Sequence, residues 1–352
     1  METLGNALIA DISRPYEMQP LQLTLGGTIG FARFPTMGKT AREIYEKADF
    51  ALYRGKQFAR GHTVLFTDDQ DTEMRESLAL ERALREANLE QELYLLFQPQ
   101  FDLTRKKVVS FEALARWRHP ALGLLTPAYF GSVFDDRDMS AALATSMIAQ
   151  VASDIGSWLE QGLACGRVAV NLSSADFSDR KLADRIVALL AAARVPTAHF
   201  EIEVTETVFL GRQTEDVAAV LNEFHEAGIS IALDDFGTGF ASLTHLKQFP
   251  VDHIKIDQSF VRNLETDKDD AAIVAAVVSL GRNMGMKITA EGVENAGQAE
   301  RLREAGCDFG QGYFYAKPAF AERVPWMIRQ ASASASSPVR RIPSPRLARR
   351  RV

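Results

Sequence analysis

The chain has few of the residues that most often mark a binding centre. It holds two cysteines in 352 residues, Cys165 and Cys307. They stand far apart, so no disulfide framework is implied and a reducing compartment fits best. The histidines show no metal-ligand spacing and no Cys/His set exists, which argues against zinc. Long apolar runs are also missing. The longest, Ala271–Leu280, falls short of the roughly 20 residues a bilayer span needs. Met1–Pro15 lacks an apolar run behind a basic start, so no signal peptide is expected. Charge is unevenly distributed along the chain. The formal net charge is −6, yet residues 331–352 carry six Arg and no acid, leaving −12 for the rest. An acidic body argues against binding nucleic-acid polymers. The Ser/Ala/Pro/Arg-rich end is expected to be a disordered tail, with contact to anionic lipid or RNA the less economical reading.

What is present is enough for a sizeable core, at 46% hydrophobic residues. The length accommodates one large domain and a partial one. Residues 1–68 form a first unit. Leu21–Phe34 alternates as a strand with Gly26-Gly27 near its middle, Thr40–Arg60 is helical in period, and Thr63–Phe66 closes as a strand. Residues 69–92 predict a linker helix capped by Asp71. From Leu93 onward strands alternate with helices. Leu93–Leu103 and Lys107–Trp117 predict an antiparallel hairpin, and the βα rhythm that follows predicts a parallel sheet closing into a barrel over 93–330.

Six short apolar segments end in a polar group: Val108–Glu112, Val168–Asn171, Phe200–Glu203, Ile229–Asp234, Ile254–Lys255 and Lys287–Glu291. Strand alternation places Asn171 with Ala169, Glu203 with Glu201, Asp234 with Ala232 and Glu291 with Thr289 on one face. The alternate positions are apolar and suit packing under helices. A (β/α) barrel needs this pattern at the carboxyl ends of its strands, where its active site forms. Glu112, Asn171, Glu203, Asp234, Asp235 and Glu291 supply oxygen ligands of the kind Mg2+ or Mn2+ prefers. Two adjacent aspartates can serve a pair of metals, Asp234 bridging and Asp235 binding one. Lys255 supplies a positive charge for a transition state or orients a water. Any one of these alone is more economically a turn or a solvated charge. Gathered at successive strand ends, they would repel one another without a cation.

The stretches FQPQFDL (97–103), FEALARWRHP (111–120), VNLSS (170–174), EIEVTET (201–207), LDDFGTGFASL (233–243), IKIDQSFV (254–261), AEGVEN (290–295) and QGYFYAKP (311–318) make the chain resemble EAL-domain phosphodiesterases that hydrolyse cyclic di-GMP. The resemblance covers roughly residues 75–330. It implies a TIM-like (β/α)8 barrel with an antiparallel first strand, a homodimer, about two Mg2+ or Mn2+ ions per site, and conversion of cyclic di-GMP to linear pGpG. It assigns Glu112, Asn171, Glu203 and Asp234 to the first metal and Asp235 to the second. Glu291 becomes a further acid at the metal centre and Lys255 the lysine near the nucleophilic water. Gln98, Arg116 and Gln311 become substrate contacts. Glu206 becomes the anchor of the Asp-Phe-Gly-Thr-Gly loop. The chain departs from the family pattern at Phe240 and Ala241, which lose two hydroxyls, and over residues 131–140.

The first unit, through LTLGGTIGFARFP (22–34) and ADFALYRGKQFARG (48–61), resembles the C-terminal half of a GGDEF (diguanylate cyclase-like) domain. The half that carries that family's signature is absent, so cyclase activity is not expected. A cytoplasmic location in a bacterium is expected, with membrane tethering through an upstream region as a variant of it. Two competing readings share the barrel: a cyclic di-GMP receptor without turnover, and a protein-interaction barrel that binds no nucleotide.

Overall fold

The computed structural model describes residues 2–18, 21–23, 25–58, 61–210, 214–237 and 243–333. Phe240, Ala241 and the arginines of the tail lie outside them. The chain divides into two compact units, Met1–Glu86 and Ala87–Val352.

In the first unit a helix Glu2–Ile12 precedes an antiparallel pair, Tyr16–Met18 with Leu21–Leu23. A parallel pair, Ile29–Phe31 with Thr63–Leu65, is joined by the helix Ala41–Phe58. The long strand read over Leu21–Phe34 is thus two short ones. Gly26 and Gly27 sit in the break, where residues without a side chain stabilise a strand least. The helix Asp68–Glu86 also starts earlier than an Asp71 cap requires. Thr67 and Gln70 make reciprocal bonds, Thr67 N–H to Gln70 Oε1 at 3.1 Å and Gln70 N–H to Thr67 Oγ1 at 3.3 Å. That capping-box pairing starts the helix, and it releases Asp71 to pair with Lys47 and Arg75.

The second unit is a closed barrel of eight strands. They are β1 (Leu93–Asp102), β2 (Val108–His119), β3 (Arg167–Asn171), β4 (Phe200–Thr205), β5 (Ser230–Phe236), β6 (His253–Ile256), β7 (Lys287–Ala290) and β8 (Phe309–Gly310). β1 pairs antiparallel with both β2 and β8, and this closes the ring. The pairs from β2 through β8 are parallel. A short strand Gly123–Leu125 extends β2 outside the ring. The fold is therefore the TIM-like barrel with an antiparallel first strand that the resemblance implies, with the hairpin and closing parallel sheet that the residue pattern predicts.

Alternation sorts the side chains. Phe97 on β1 and Phe111 on β2 point outward and pack on Trp158 of the helix Arg137–Glu160, with ring centroids 5.0 and 6.2 Å away. Both phenylalanines are fully buried. Burial of a side chain of this size stabilises by about 2–3 kcal/mol. Their neighbours Gln98 and Glu112 then point into the barrel, directly opposite each other. Outer helices start on side-chain caps. Asp136 accepts from Met139 N–H, and Asp267 accepts from the N–H groups of Asp269 and Asp270.

Candidate active site

The parallel register stacks the polar tips at one end of the ring. Asn171 lies opposite Glu203, Glu203 opposite Ala232, and Lys255 opposite Thr289. Glu291 and Gln311 follow directly on β7 and β8. Lys255 is the hub of the cluster. Its fully buried ammonium lies 2.6 Å from Glu291 Oε1, 2.7 Å from Glu203 Oε2, 3.2 Å from Asp234 Oδ1 and 3.6 Å from Glu112 Oε2. One positive charge faces four carboxylates, so the pocket has an excess of negative charge.

The ionisation of these groups follows from that imbalance. Burial favours the neutral amine, but Asp234, Glu112, Glu203 and Glu291 hold the Lys255 ammonium well above the usual lysine range. Burial raises Glu203 well above the usual carboxylate range, and repulsion from Glu112 adds to it despite Lys255. Burial likewise pushes Glu291 up to about 8, with Asp234 and Glu112 adding and Lys255 opposing. Glu112 is also opposed by burial. Lys255 and hydrogen bonds from Gln311 and Asn171 nevertheless hold it below its ordinary value.

Asp235 enters the cluster by a local distortion. Adjacent strand residues face opposite sides, so Asp234 and Asp235 cannot both reach one centre in a regular strand. The β5–β6 register shifts between Leu233 and Phe236, and Asp235 adopts φ 53°. That left-handed conformation is uncommon for a residue with a Cβ and costs about 1–3 kcal/mol. It brings carboxylate oxygens of Asp234, Asp235 and Glu291 within 4.8 Å of one another. Burial and the neighbouring Asp234 push Asp235 up to about 7.

These residues fit divalent cations. Glu203 Oε1 is buried and makes no hydrogen bond. A buried carboxylate oxygen in that state is costly unless a positive charge compensates it. The donor set is all oxygen, as Mg2+ and Mn2+ prefer, and the excess negative charge is of the right sign.

A cavity of about 320 Å3 opens over the cluster. Gln98, Glu112, Asp234, Glu291 and Gln311 line it, as do Leu114, Gln258, Glu294 and Tyr313, to which the sequence reading gave no role. Tyr313 follows Gln311 by two residues, and that spacing was the available signal. Lys255 and Glu203 lie beneath the cavity rather than on its wall. Arg116, on the same face of β2 as Glu112 and Leu114, is half-buried and donates to the Ala115 carbonyl at 2.7 Å. It is outside the cavity lining, and burial lowers its pKa while Tyr313 and Glu112 oppose that. Glu206 is buried, and its Oε1 accepts from Gly237 N–H at 3.0 Å, tying the start of the loop after β5.

Gly312 sets the wall between Glu291 and Gln311. Its φ is 157°, and a Cβ there would lie 2.2 Å from the Val293 carbonyl oxygen. The Val293 N–H donates to the Gln311 carbonyl at 2.9 Å, so the two segments touch backbone to backbone.

A family model described as the EAL domain matches residues 81–318. The bifunctional diguanylate cyclase/cyclic di-GMP phosphodiesterase MucR of Pseudomonas aeruginosa is 34% identical over 322 residues, which is 92% of this chain and 47% of that protein. The cyclic di-GMP phosphodiesterase PdeR of Escherichia coli is 30% identical over 318 residues, 90% of this chain and 48% of that protein. The chain thus spans about half the length of these relatives. Among solved structures, PaMucR phosphodiesterase in its c-di-GMP complex aligns with a TM-score of 0.66 at 35% identity, covering 70% of this chain and 99% of that one. BlrP1 of Klebsiella pneumoniae, with manganese and cyclic di-GMP, aligns with a TM-score of 0.58 at 28% identity, covering 66% of this chain and 57% of that one.

Proposed function

The chain belongs to the EAL domain family, and from that premise we propose that it is a phosphodiesterase hydrolysing cyclic di-GMP to linear pGpG with two Mg2+ or Mn2+ ions. The observation that carries this reading is the buried Lys255 ammonium facing four carboxylates beneath an open cavity. The excess negative charge repels a phosphodiester, so the site makes sense for an anionic substrate only when cations complete it.

Glu112, Asn171, Glu203 and Asp234 would hold the first ion, and Asp235, Asp234 and Glu291 the second. Such a pair supplies Lewis acidity toward the phosphate and lowers the pKa of a water. The chain's own groups do the rest. Lys255 holds Glu203 and Glu291 in place and, from beneath the cavity, supplies a fixed positive charge toward the nucleophilic water and the transition state. Gln311 and Gln98 offer amides at the cavity wall for the water or the phosphate. Arg116 supplies a guanidinium fork for a phosphate oxygen once it turns from the Ala115 carbonyl. Glu206 holds the start of the loop that follows Asp235.

Residues 1–68 are the C-terminal half of a GGDEF-like domain, 69–92 a linker and 93–330 the catalytic barrel. The barrel works as a homodimer in the bacterial cytoplasm, and the Arg-rich tail is an extension. No helix among the described residues is long and apolar enough to cross a membrane.

The deciding experiment incubates the purified chain with cyclic di-GMP and Mg2+ or Mn2+, beside Glu112→Ala, and follows pGpG by chromatography. Product from the unaltered chain alone supports the reading. Binding without product overturns turnover and favours a receptor.

A further inference from the structure

Ser110, Gln100 and Gln311 form a one-way chain of hydrogen bonds that ends on Glu112. The Ser110 hydroxyl donates to Gln100 Oε1 at 2.6 Å. Gln100 Nε2 donates to Gln311 Oε1 at 3.0 Å. Gln311 Nε2 donates to Glu112 Oε2 at 2.5 Å and reaches Gln98 Oε1 at 3.3 Å. The chain crosses three strands. Ser110 on β2 lies opposite Gln100 on β1, and Gln311 follows β8, whose Gly310 lies opposite Phe101. Gln100 is fully buried, and neither it nor Ser110 lines the cavity.

The direction of every bond is forced from one end. A side-chain amide can turn over with little change of shape, exchanging its donor for its acceptor. Glu112 is an acceptor here: Oε1 takes a bond from Asn171 Nδ2 at 2.9 Å, and Oε2 faces Lys255. Gln311 must therefore turn its NH2 toward Glu112 and its oxygen toward Gln100. Gln100 must then answer with its own NH2. Its oxygen in turn needs a donor, and the Ser110 hydroxyl is that donor. A reversed Gln311 would set two acceptors 2.5 Å apart in a buried site.

We propose that Gln100 and Ser110 are positioning residues that fix the amide of Gln311, and through it the Glu112 carboxylate, and so set the affinity of the site for divalent cations. The proposal rests on the reading of Glu112 as a cation ligand. Groups that orient a metal ligand from behind typically change metal affinity 10- to 100-fold when removed.

The test measures Mn2+ binding by calorimetry, cyclic di-GMP turnover and metal-free melting temperature in the full chain. Gln100→Leu is expected to weaken Mn2+ binding about tenfold or more and to lower kcat. Ser110→Ala acts in the same direction but less, and Ser110→Thr, which keeps the hydroxyl, restores affinity relative to Ser110→Ala. The double variant Gln100→Leu/Ser110→Ala is expected to match Gln100→Leu alone, because the serine acts only through the glutamine. Unchanged Mn2+ affinity in Gln100→Leu, or additive losses in the double variant, overturns the proposal. Should Gln100→Leu fail to fold, the comparison of Ser110→Ala with Ser110→Thr decides, and equal affinities overturn it. An unaltered chain that hydrolyses the dinucleotide beside indifferent variants removes this proposal alone. An unaltered chain that neither binds Mn2+ nor turns over removes the phosphodiesterase reading with it.

Discussion

Lys255 Nζ lies 2.6 Å from Glu291 Oε1, joining the middle of one barrel strand to the residue just past the next. The pair is fully enclosed on the lysine side, and three more carboxylates lie within 3.6 Å of the same nitrogen. The ammonium is thus the shared counter-charge of four carboxylates, and the proposed reaction gives it a second role at the reacting centre.

Replacing it separates the two roles. Lys255→Met removes the one cation from a buried carboxylate cluster, and loss of one partner in such a cluster costs about 3–5 kcal/mol. The metal-free variant is expected to melt well below the unaltered chain. Added Mn2+ should recover part of that loss in a melting experiment, while turnover stays at least about a hundredfold down. Unchanged metal-free melting would show that the carboxylates neutralise by protonation.

Glu112 takes bonds from Asn171 and Gln311 and lies near Lys255. Glu112→Gln keeps the size but loses the charge, so hydrolysis should fall by about three orders of magnitude, measured as pGpG formed per minute. Metal-free melting temperature should fall as well, because the amide loses the attraction of Lys255 and must set its NH2 against a donor from Asn171 or Gln311.

Gly312 allows the backbones of Val293 and Gln311 to meet. Gly312→Ala places a Cβ inside contact distance of the Val293 peptide at a φ that disfavours side chains. Denaturant unfolding should show a loss of about 2–4 kcal/mol. Turnover should fall as well, since Gln311 and Glu291 are carried by the same two segments.

Asp154, on the outer helix Arg137–Glu160, is pushed up to about 6 by burial and by Glu322. Its folded pKa exceeds the unfolded value of 3.8, so the folded state binds more protons between the two. Stability from this group is present below about pH 4 and is lost as pH rises through about 6. Asp154→Asn should therefore stabilise the protein above pH 6 and flatten the pH dependence of melting between pH 4 and 6. Equal slopes in the two proteins would remove Asp154 from the account.

The ring of polar groups at the strand ends was legible because strand alternation is a local rule. Glu112, Asn171, Glu203, Asp234 and Lys255 each follow apolar partners at period two, and that pattern fixes the face before any tertiary contact exists. Asp235 was legible as a motif residue but not as a geometry, since a regular strand would turn it away. Gln100 went unnoticed although it shares a face with Gln98, because its partners Ser110 and Gln311 are supplied by other strands. The Asp71 cap failed for a smaller reason: Thr67 and Gln70 compete for the same helix start.

The sequence by itself determined the barrel's strand order, the inward face of each strand and the chemical type of every group at the strand ends. Those follow from periodicity and side-chain chemistry, which act over a few residues. The gathering of four carboxylates around one ammonium, the turn of Asp235 and the direction of the Ser110–Gln100–Gln311 chain were decided only by the tertiary structure. Each depends on distances between residues tens to hundreds of positions apart, and only closure of the barrel sets those distances.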